Sequence, residues 1–262
     1  MTLTFGSDHW RQQFDARGWN DFETLWEIEA AAVEPANVRR GGWSSVVRLE
    51  TGDLGAFYLK RQENHDFTDW RQGFRRRATV EREWEIAATF RRFGVESAEG
   101  VCLGVDRSTS SRALLVTVAL DDYQPLPAVL QTEKPAGAAR KVLWQTIADT
   151  IRRIHDHGYR HNCLYGQHVY LKREADAWTV RLIDLEKATP TRRRRRATIS
   201  DLSALDRHTD DMSHRDRAWL WDRYFEDVSL EDRRPILNAL ARRTSGRLVD
   251  QYLKDCAAGR RG

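Results

Sequence analysis

The chain has 262 residues, of which 40% are hydrophobic and 10% aromatic. That is enough for one bilobal domain, or two small ones, with a substantial buried core, and it excludes a wholly disordered protein. Its 43 basic and 39 acidic residues leave a net charge of +4, so the chain is charge-dense rather than simply basic, and local clusters matter more than the total.

No run of about 18 apolar residues is present to cross a membrane. Met1 to Trp10 lacks the charged-then-apolar order of a signal peptide. Cys102, Cys163 and Cys256 are few, odd in number and widely spaced, which argues for a reducing compartment and against a disulfide framework. A cytoplasmic location is therefore expected.

In chain order, Asp8 to Ala31 holds helix-compatible stretches, and Glu34 to Asn37 reads as a turn. Residues 1–36 are thus expected as an N-terminal helical extension. Trp43 to Leu49 and Ala56 to Lys60 are strand-like runs joined by Thr51-Gly52-Asp53-Leu54-Gly55, the pattern of a hairpin. From Ala78 to Phe93 the residues Val80, Trp84, Ala87 and Phe90 recur at helical spacing, and Gly94 is placed to end the helix in a left-handed conformation. Ala113 to Leu120 is a continuous apolar run suited to a buried strand. Asp121-Asp122, Pro125 and Pro127 then mark a break, giving a sheet-rich front lobe over 37–120 and a helical rear lobe over 121–262.

In the rear part, Gly137 to His157 carries Leu143, Ile147, Ile151 and Ile154 on one face, with Gly158 just beyond. Val169 to Leu171 and Trp178 to Leu182 form a second strand pair. Ser213 with Asp216, and Ser229 with Asp232, have the spacing of helix capping boxes. Trp221, Tyr224, Phe225 and Val228 offer a face to bury. The order of elements fits an α+β protein of two lobes.

Phosphoryl transfer from a nucleotide needs a backbone over the phosphates, a cation, carboxylates for a metal and a group that orients the acceptor hydroxyl. Candidates follow in that order. Gly41, Gly42 and Ser44, within Arg40-Gly41-Gly42-Trp43-Ser44-Ser45-Val46, suit a phosphate-covering turn, though an ordinary hairpin turn explains them equally well. Lys60 ends the strand Phe57-Tyr58-Leu59-Lys60, and Glu83 stands one helix later as a partner; a lysine at a strand end is more often plain surface. Asp184 follows the apolar strand end Leu182-Ile183, where a carboxylate either enters a cleft or merely caps a turn.

The loop from Ile154 to Leu171 is the most specific piece. Kinases read, in outline, L-H-x-x-G-x-x-H-R-D-L-x-x-x-N, with Asp as base and Asn on the metal. This chain gives Ile154-His155, Gly158 and His161-Asn162-Cys163-Leu164, then His168 in the Asn position. The spacing is kept and two functional identities change.

The stretches RRGGWSSVVRLE, FYLKRQENH, REWEIAATFRRFGV, HDHGYRHNCLYGQHVYL and RLIDLEKA, in that order, resemble the lipopolysaccharide kinase (Kdo/WaaP) family, in particular its InaA-like branch, over roughly Asn37 to Phe225. The resemblance implies a protein-kinase-like bilobal fold, ATP with magnesium (Mg2+), and phosphorylation of sugar hydroxyls of the lipopolysaccharide core at the inner face of the inner membrane. It implies that Gly41, Gly42, Ser44, Lys60 and Glu83 serve ATP and that His168 and Asp184 serve the metal. Members of the family carry aspartate where this chain has Cys163. A thiol offers no fixed negative acceptor to orient a hydroxyl, and general-base help is often worth roughly 100-fold or more. Loose phosphoryl transfer leans more on positioning and charge, so a slow enzyme is compatible with the loop, with Asp184 or Glu186 covering part of the role.

Other readings are open to the same chain. A catalytically impaired pseudokinase would bind nucleotide and regulate a partner in an envelope or stress response. His155, His157, His161, Cys163 and His168 are all types that ligate zinc or copper, although their spacing matches no standard zinc motif. The run Arg192 to Arg196 would attract anionic phosphates, with peripheral contact to an anionic membrane as its consequence, or would be a solvated loop. Nucleic-acid binding rests on that run alone, without a recognition helix, and is not expected.

Overall fold

The computed structural model describes residues 1–39, 41–69, 73–244 and 246–259. Arg40, in the expected phosphate-covering turn, lies outside the described residues. The first elements in chain order are β1 (Thr2–Phe5), α1 (Asp8–Asp15), α2 (Phe22–Trp26), β2 (Asn37–Arg39), β3 (Gly42–Glu50), β4 (Ala56–Glu63), β5 (Asp66–Asp69), β6 (Arg75–Ala78) and α3 (Thr79–Arg92). They are followed by β7 (Glu96–Ser97), β8 (Gly100–Asp106), β9 (Arg112–Val118), β10 (Gln124–Pro125), α4 (Leu126–Thr132), α5 (Gly137–Asp156) and β11 (Tyr159–Arg160). The last are β12 (Val169–Glu174), β13 (Ala177–Leu182), β14 (Thr189–Pro190), α6 (Arg194–Arg207), α7 (His214–Tyr224), α8 (Leu230–Ala241) and α9 (Gly246–Ala257).

Two compact units result. The first comprises Met1–Thr89, Ala98–Asp121 and Leu185–Lys187; the second comprises Phe90–Ser97, Asp122–Asp184 and Ala188–Gly262. The short segment Leu185–Lys187 therefore belongs to the first unit although its flanking residues belong to the second.

In the first unit, a six-stranded antiparallel sheet runs in the order β1-β8-β9-β4-β3-β2. Side chains alternate across each strand, and this decides what β4 presents to either side. Phe57 and Leu59 join Phe14, Phe22 and Leu25 of α1 and α2 in one apolar cluster. Lys60 and Gln62 face the other way, opposite Val46 and Ser44 on β3 and opposite Leu115 and Ala113 on β9.

The expectation of a separate helical extension over residues 1–36 is corrected here. Thr2–Phe5 pairs with β8 as the sheet edge, and Phe14, Phe22 and Leu25 are at most 2% exposed. These residues complete the core of the sheet because its outer face, with Leu49 and Val116, would otherwise be bare apolar surface. The α3 stripe also shifts: Ile86, at 6% exposure, is buried with Val80 and Phe90, whereas Trp84 and Ala87 are half-buried.

In the second unit, α5 buries Leu143, Trp144, Ile147, Ile151 and Ile154, and Gly158 leaves the helix with φ of 73°. The capping box of α7 is complete: Ser213 Oγ accepts from Asp216 N at 3.3 Å, and Asp216 Oδ2 accepts from Ser213 N at 2.8 Å. Asp216 also takes two hydrogen bonds from Arg140 of α5, at 2.7 and 2.8 Å, tying the two helices together. The antiparallel pair β12 and β13 places Val169 opposite Leu182. Because one strand begins where the other ends, the residues just before Val169 and just after Leu182 are brought side by side.

Candidate active site

In the first unit, Lys60 Nζ lies 2.9 Å from Glu83 Oε2 and 2.9 Å from Glu186 Oε2. All three side chains are mostly buried, with exposures of 18%, 17% and 15%. Glu83 comes from α3, and Glu186 from a single 3₁₀ turn over Leu185–Lys187. Thr79 Oγ1 donates to Glu186 at 3.2 Å and is 3.0 Å from Gln62 Oε1, while Arg82 Nε donates to the Glu186 carbonyl. Burial alone would raise the Glu186 carboxyl, yet the charge and hydrogen bond of Lys60, with His65 and Lys187 nearby, hold it down to about 2. A cation and two carboxylates are thus fixed together out of bulk water, where their attraction is least screened.

Gly41, Gly42 and Ser44 have a plain structural reason. Arg39 pairs with Gly42, and Gly41 between them has φ of 78°, a conformation that glycine adopts without strain. A Cβ on Gly42 would stand 2.4 Å from the Asn64 carbonyl oxygen. Ser44 Oγ is 3.5 Å from Gln62 Nε2, so Ser44 continues the polar row through Gln62 and Thr79 to Glu186 and Lys60.

In the second unit, the hairpin of β12 and β13 explains the meeting of His168 and Asp184. Ile183 N donates to the His168 carbonyl at 3.1 Å, and His168 Nδ1 lies 3.7 Å from Asp184 Oδ2. Cys163 joins them, so that one donor atom from each of Cys163, His168 and Asp184 lies within 4.8 Å of the others. His168 Nδ1 is 2.7 Å from the Cys163 carbonyl, which fixes the ring. Asn162 and Asp184 both adopt left-handed backbone conformations, with φ of 66° and 58°. Such strain costs of order 1 kcal/mol or more per residue and persists where the surroundings enforce it.

Asp201 supplies much of that enforcement. Buried in α6, it accepts from the backbone N–H groups of His161 at 2.7 Å and Asn162 at 2.9 Å, and it lies 3.1 Å from His155 Nε2. His155 Nδ1 is 2.7 Å from the Tyr224 hydroxyl, which is 2.7 Å from Thr198 Oγ1. Burial would raise the Asp201 carboxyl, but its hydrogen bonds and the nearby histidines keep it below the ordinary carboxylate range. His161 is held below its usual value by burial and by His168, against the pull of Asp201 and Asp184. Its Nδ1 accepts from Cys163 N at 3.3 Å, which a neutral ring with its proton on Nε2 allows.

The histidine-rich loop therefore divides. His155 belongs to the buried network, and His157 stacks on Phe93 with centroids 4.1 Å apart, so neither joins the group of three. That group fits magnesium only in part. Asp184 offers the hard oxygen that magnesium prefers, whereas an imidazole nitrogen and a thiol sulfur suit softer cations. Of the arginine run, Arg194 to Arg196 open helix α6 instead of lying in a loop. All five are exposed, and Arg194 pairs with Asp156 at 2.5 Å.

The ends of this machinery that sequence reasoning left out are Gln62, Thr79 and Asp201, together with the part Glu186 plays as a partner of Lys60. Asp201 had a readable signal, an acid at the spacing Ala197, Asp201, Leu205 on an otherwise apolar helix face. Gln62 and Thr79 had none, since nothing in their local sequence marks a polar row inside a unit.

The profile of the lipopolysaccharide kinase (Kdo/WaaP) family matches residues 23–224. The chain belongs to the lipopolysaccharide kinase (Kdo/WaaP) family. It is 28% identical over 199 residues to the protein InaA of Escherichia coli (strain K12), covering 72% of this chain and 88% of InaA. It is similar in fold to WaaP, solved in complex with acyl carrier protein, with a TM-score of 0.69 and 19% identity over 96% of this chain and 99% of WaaP. The fold is thus the α+β, protein-kinase-like one, and membership in the Kdo/WaaP family makes this a kinase-type chain of the lipopolysaccharide class.

Proposed function

We infer that this protein transfers the γ-phosphoryl group of ATP to a sugar hydroxyl of the lipopolysaccharide core or a related glycan. The observation that carries the reading is the ion pair of Lys60 with Glu83, at 2.9 Å and largely shielded from water. A buried ammonium fixed by a helix carboxylate is a pre-positioned cation, and phosphoryl transfer depends chiefly on such positioning and on charge stabilisation. In this reading Lys60 holds the nucleotide phosphates, steered by Glu83. Ser44, with the Gly41-Gly42 turn, lies along the phosphate-facing strand.

Asp184 would hold magnesium through its carboxylate, and the ion would neutralise charge on the phosphates. Asp201 acts through the backbone it clamps and sets the position of the Asn162-Cys163 segment. Cys163 stands where an acceptor hydroxyl would be oriented, and its lack of a carboxylate makes the transfer slow. Transfer of label from ATP to core oligosaccharide by the purified protein, above the rate of heat-inactivated protein, is the test; no transfer to any core glycan removes the reading.

One observation favours a second reading, a pseudokinase that binds nucleotide and regulates a partner. Cys163 is only 2% exposed, and it replaces the residue on which the family's chemistry is expected to depend. Stabilisation by magnesium-ATP in a thermal-shift titration, without any transfer, supports this alternative; no stabilisation removes it. The work site in either case is cytoplasmic, at the inner face of the inner membrane, where the exposed Arg192 to Arg196 would meet anionic headgroups.

A further inference from the structure

Cys163, His168 and Asp184 present a thiol, an imidazole and a carboxylate within 4.8 Å of one another. We propose that these three side chains form a binding site for a thiophilic divalent cation of the zinc class. The proposal stands apart from phosphoryl transfer and does not require it.

The chemistry of the donors selects the cation. Sulfur and imidazole nitrogen favour zinc and its neighbours over magnesium, which asks for oxygen in near-octahedral arrangement and gives up water reluctantly. Three protein ligands drawn from Cys, His and Asp, with a fourth position open, are the composition of an accessible zinc site. Zinc bonds of about 2.0–2.3 Å in a tetrahedral shell put donor atoms roughly 3.3–3.6 Å apart. His168 Nδ1 donates to the Cys163 carbonyl, which leaves Nε2 as the nitrogen to ligate; with one donor atom from each residue within 4.8 Å of the others, closing the group requires a shift of roughly 1–1.5 Å. Asp184, a quarter exposed, has the freedom to make it.

The scaffold holds the donors ready. His168 and Asp184 flank the two ends of the β12–β13 hairpin, whose ladder fixes their separation. Cys163 is tied in through its carbonyl to His168 and through its N–H to His161. A ligand ring oriented by a backbone carbonyl is the usual support around a bound metal. Burial of Cys163 places the sulfur where its pairing with a cation is least screened; on binding, the thiol proton leaves to solvent. A cation held here would occupy Asp184, so zinc would compete with any magnesium–nucleotide complex that uses the same carboxylate.

The full-length protein, stripped with a chelator, is titrated with Co2+ and followed by absorbance. One equivalent is expected to produce a thiolate-to-cobalt charge-transfer band together with the visible bands of a four-coordinate ion. Zn2+ should then bleach both, and a large excess of Mg2+ should not. Cys163→Ser is expected to abolish the charge-transfer band and weaken Zn2+ binding at least about tenfold. His168→Gln, which leaves the thiol in place, is expected to weaken Zn2+ binding by a similar factor, with folding of both variants checked by circular dichroism. Absence of the band in the wild type, its survival in Cys163→Ser, or unchanged zinc affinity in folded His168→Gln each overturns the proposal. Because no nucleotide or acceptor is present, these results leave the phosphotransfer reading untouched.

Discussion

Asp201 accepts a hydrogen bond from the backbone N–H of His161 at 2.7 Å, and its other oxygen takes the N–H of Asn162 at 2.9 Å. One carboxylate on α6 thereby holds the backbone that leads into Cys163, including the left-handed residue Asn162. Asp201→Ala strands two N–H groups and the ring of His155, and each unsatisfied buried group costs about 1–3 kcal/mol. Urea unfolding should show a loss of roughly 3 kcal/mol or more. A loss near zero would mean that the clamp does not carry the loop.

The Glu186 carboxyl, held down to about 2 in the folded protein against an ordinary value of 4.5, makes a signed prediction. The unfolded chain takes up the proton first, so the contribution of this group is complete above the ordinary value and fades as pH falls toward the folded one. Asp201, also depressed, adds in the same direction. Glu186→Gln should therefore unfold with a shallower loss of stability than wild type between pH 5 and pH 3, measured as denaturation midpoints. Parallel pH profiles for the two proteins would contradict the Lys60–Glu186 pairing as a source of stability.

Much of this arrangement was readable in the sequence, for identifiable reasons. The helices over Thr79–Arg92 and Gly137–Asp156 carry strong 3.6-residue periodicity and end at glycines. The β3–β4 and β12–β13 pairs are short runs bounded by turn residues. Lys60 with Glu83, and His168 with Asp184, follow from spacing within motifs. By contrast, β1 is a four-residue edge strand whose partner lies about a hundred residues on, and β5–β6 is rich in charge. Neither has a local hydrophobic pattern, because their pairing is set by the rest of the fold. Glu186 escaped as a partner of Lys60 for the same reason: its neighbour Asp184 belongs to the other unit, and no sequence rule says that a three-residue turn crosses over.

Cys163→Asp returns a carboxylate to the position where kinases of this layout hold their base. Phosphotransfer to core oligosaccharide is expected to rise by about 100-fold or more over wild type, provided magnesium is supplied to offset the repulsion from Asp184. A variant that folds and binds nucleotide, yet shows no gain, would favour the regulatory reading over the enzymatic one.

The exposed arginines at the start of α6 make a surface prediction. Arg194 is paired with the carboxylate of Asp156 and Arg195 donates to the Pro235 carbonyl; Arg192, Arg193, Arg195 and Arg196, none of them paired with an acid among the described residues, are the ones to neutralise. Their joint replacement by glutamine should reduce co-sedimentation with anionic vesicles at least about tenfold at low salt, since each arginine near such a surface is worth about 1 kcal/mol. Sedimentation that ignores both the substitutions and the anionic lipid content would remove membrane contact from the account.

Lys60, fixed by Glu83, is expected to serve a nucleotide whose terminal phosphoryl is passed to a glycan. The direct measurement is the rate of γ-phosphoryl transfer from labelled magnesium-ATP to lipopolysaccharide core oligosaccharide, for wild type and for Lys60→Ala side by side. Transfer by wild type and background in the variant are expected; equal rates in the two would rule out a role for Lys60 in transfer.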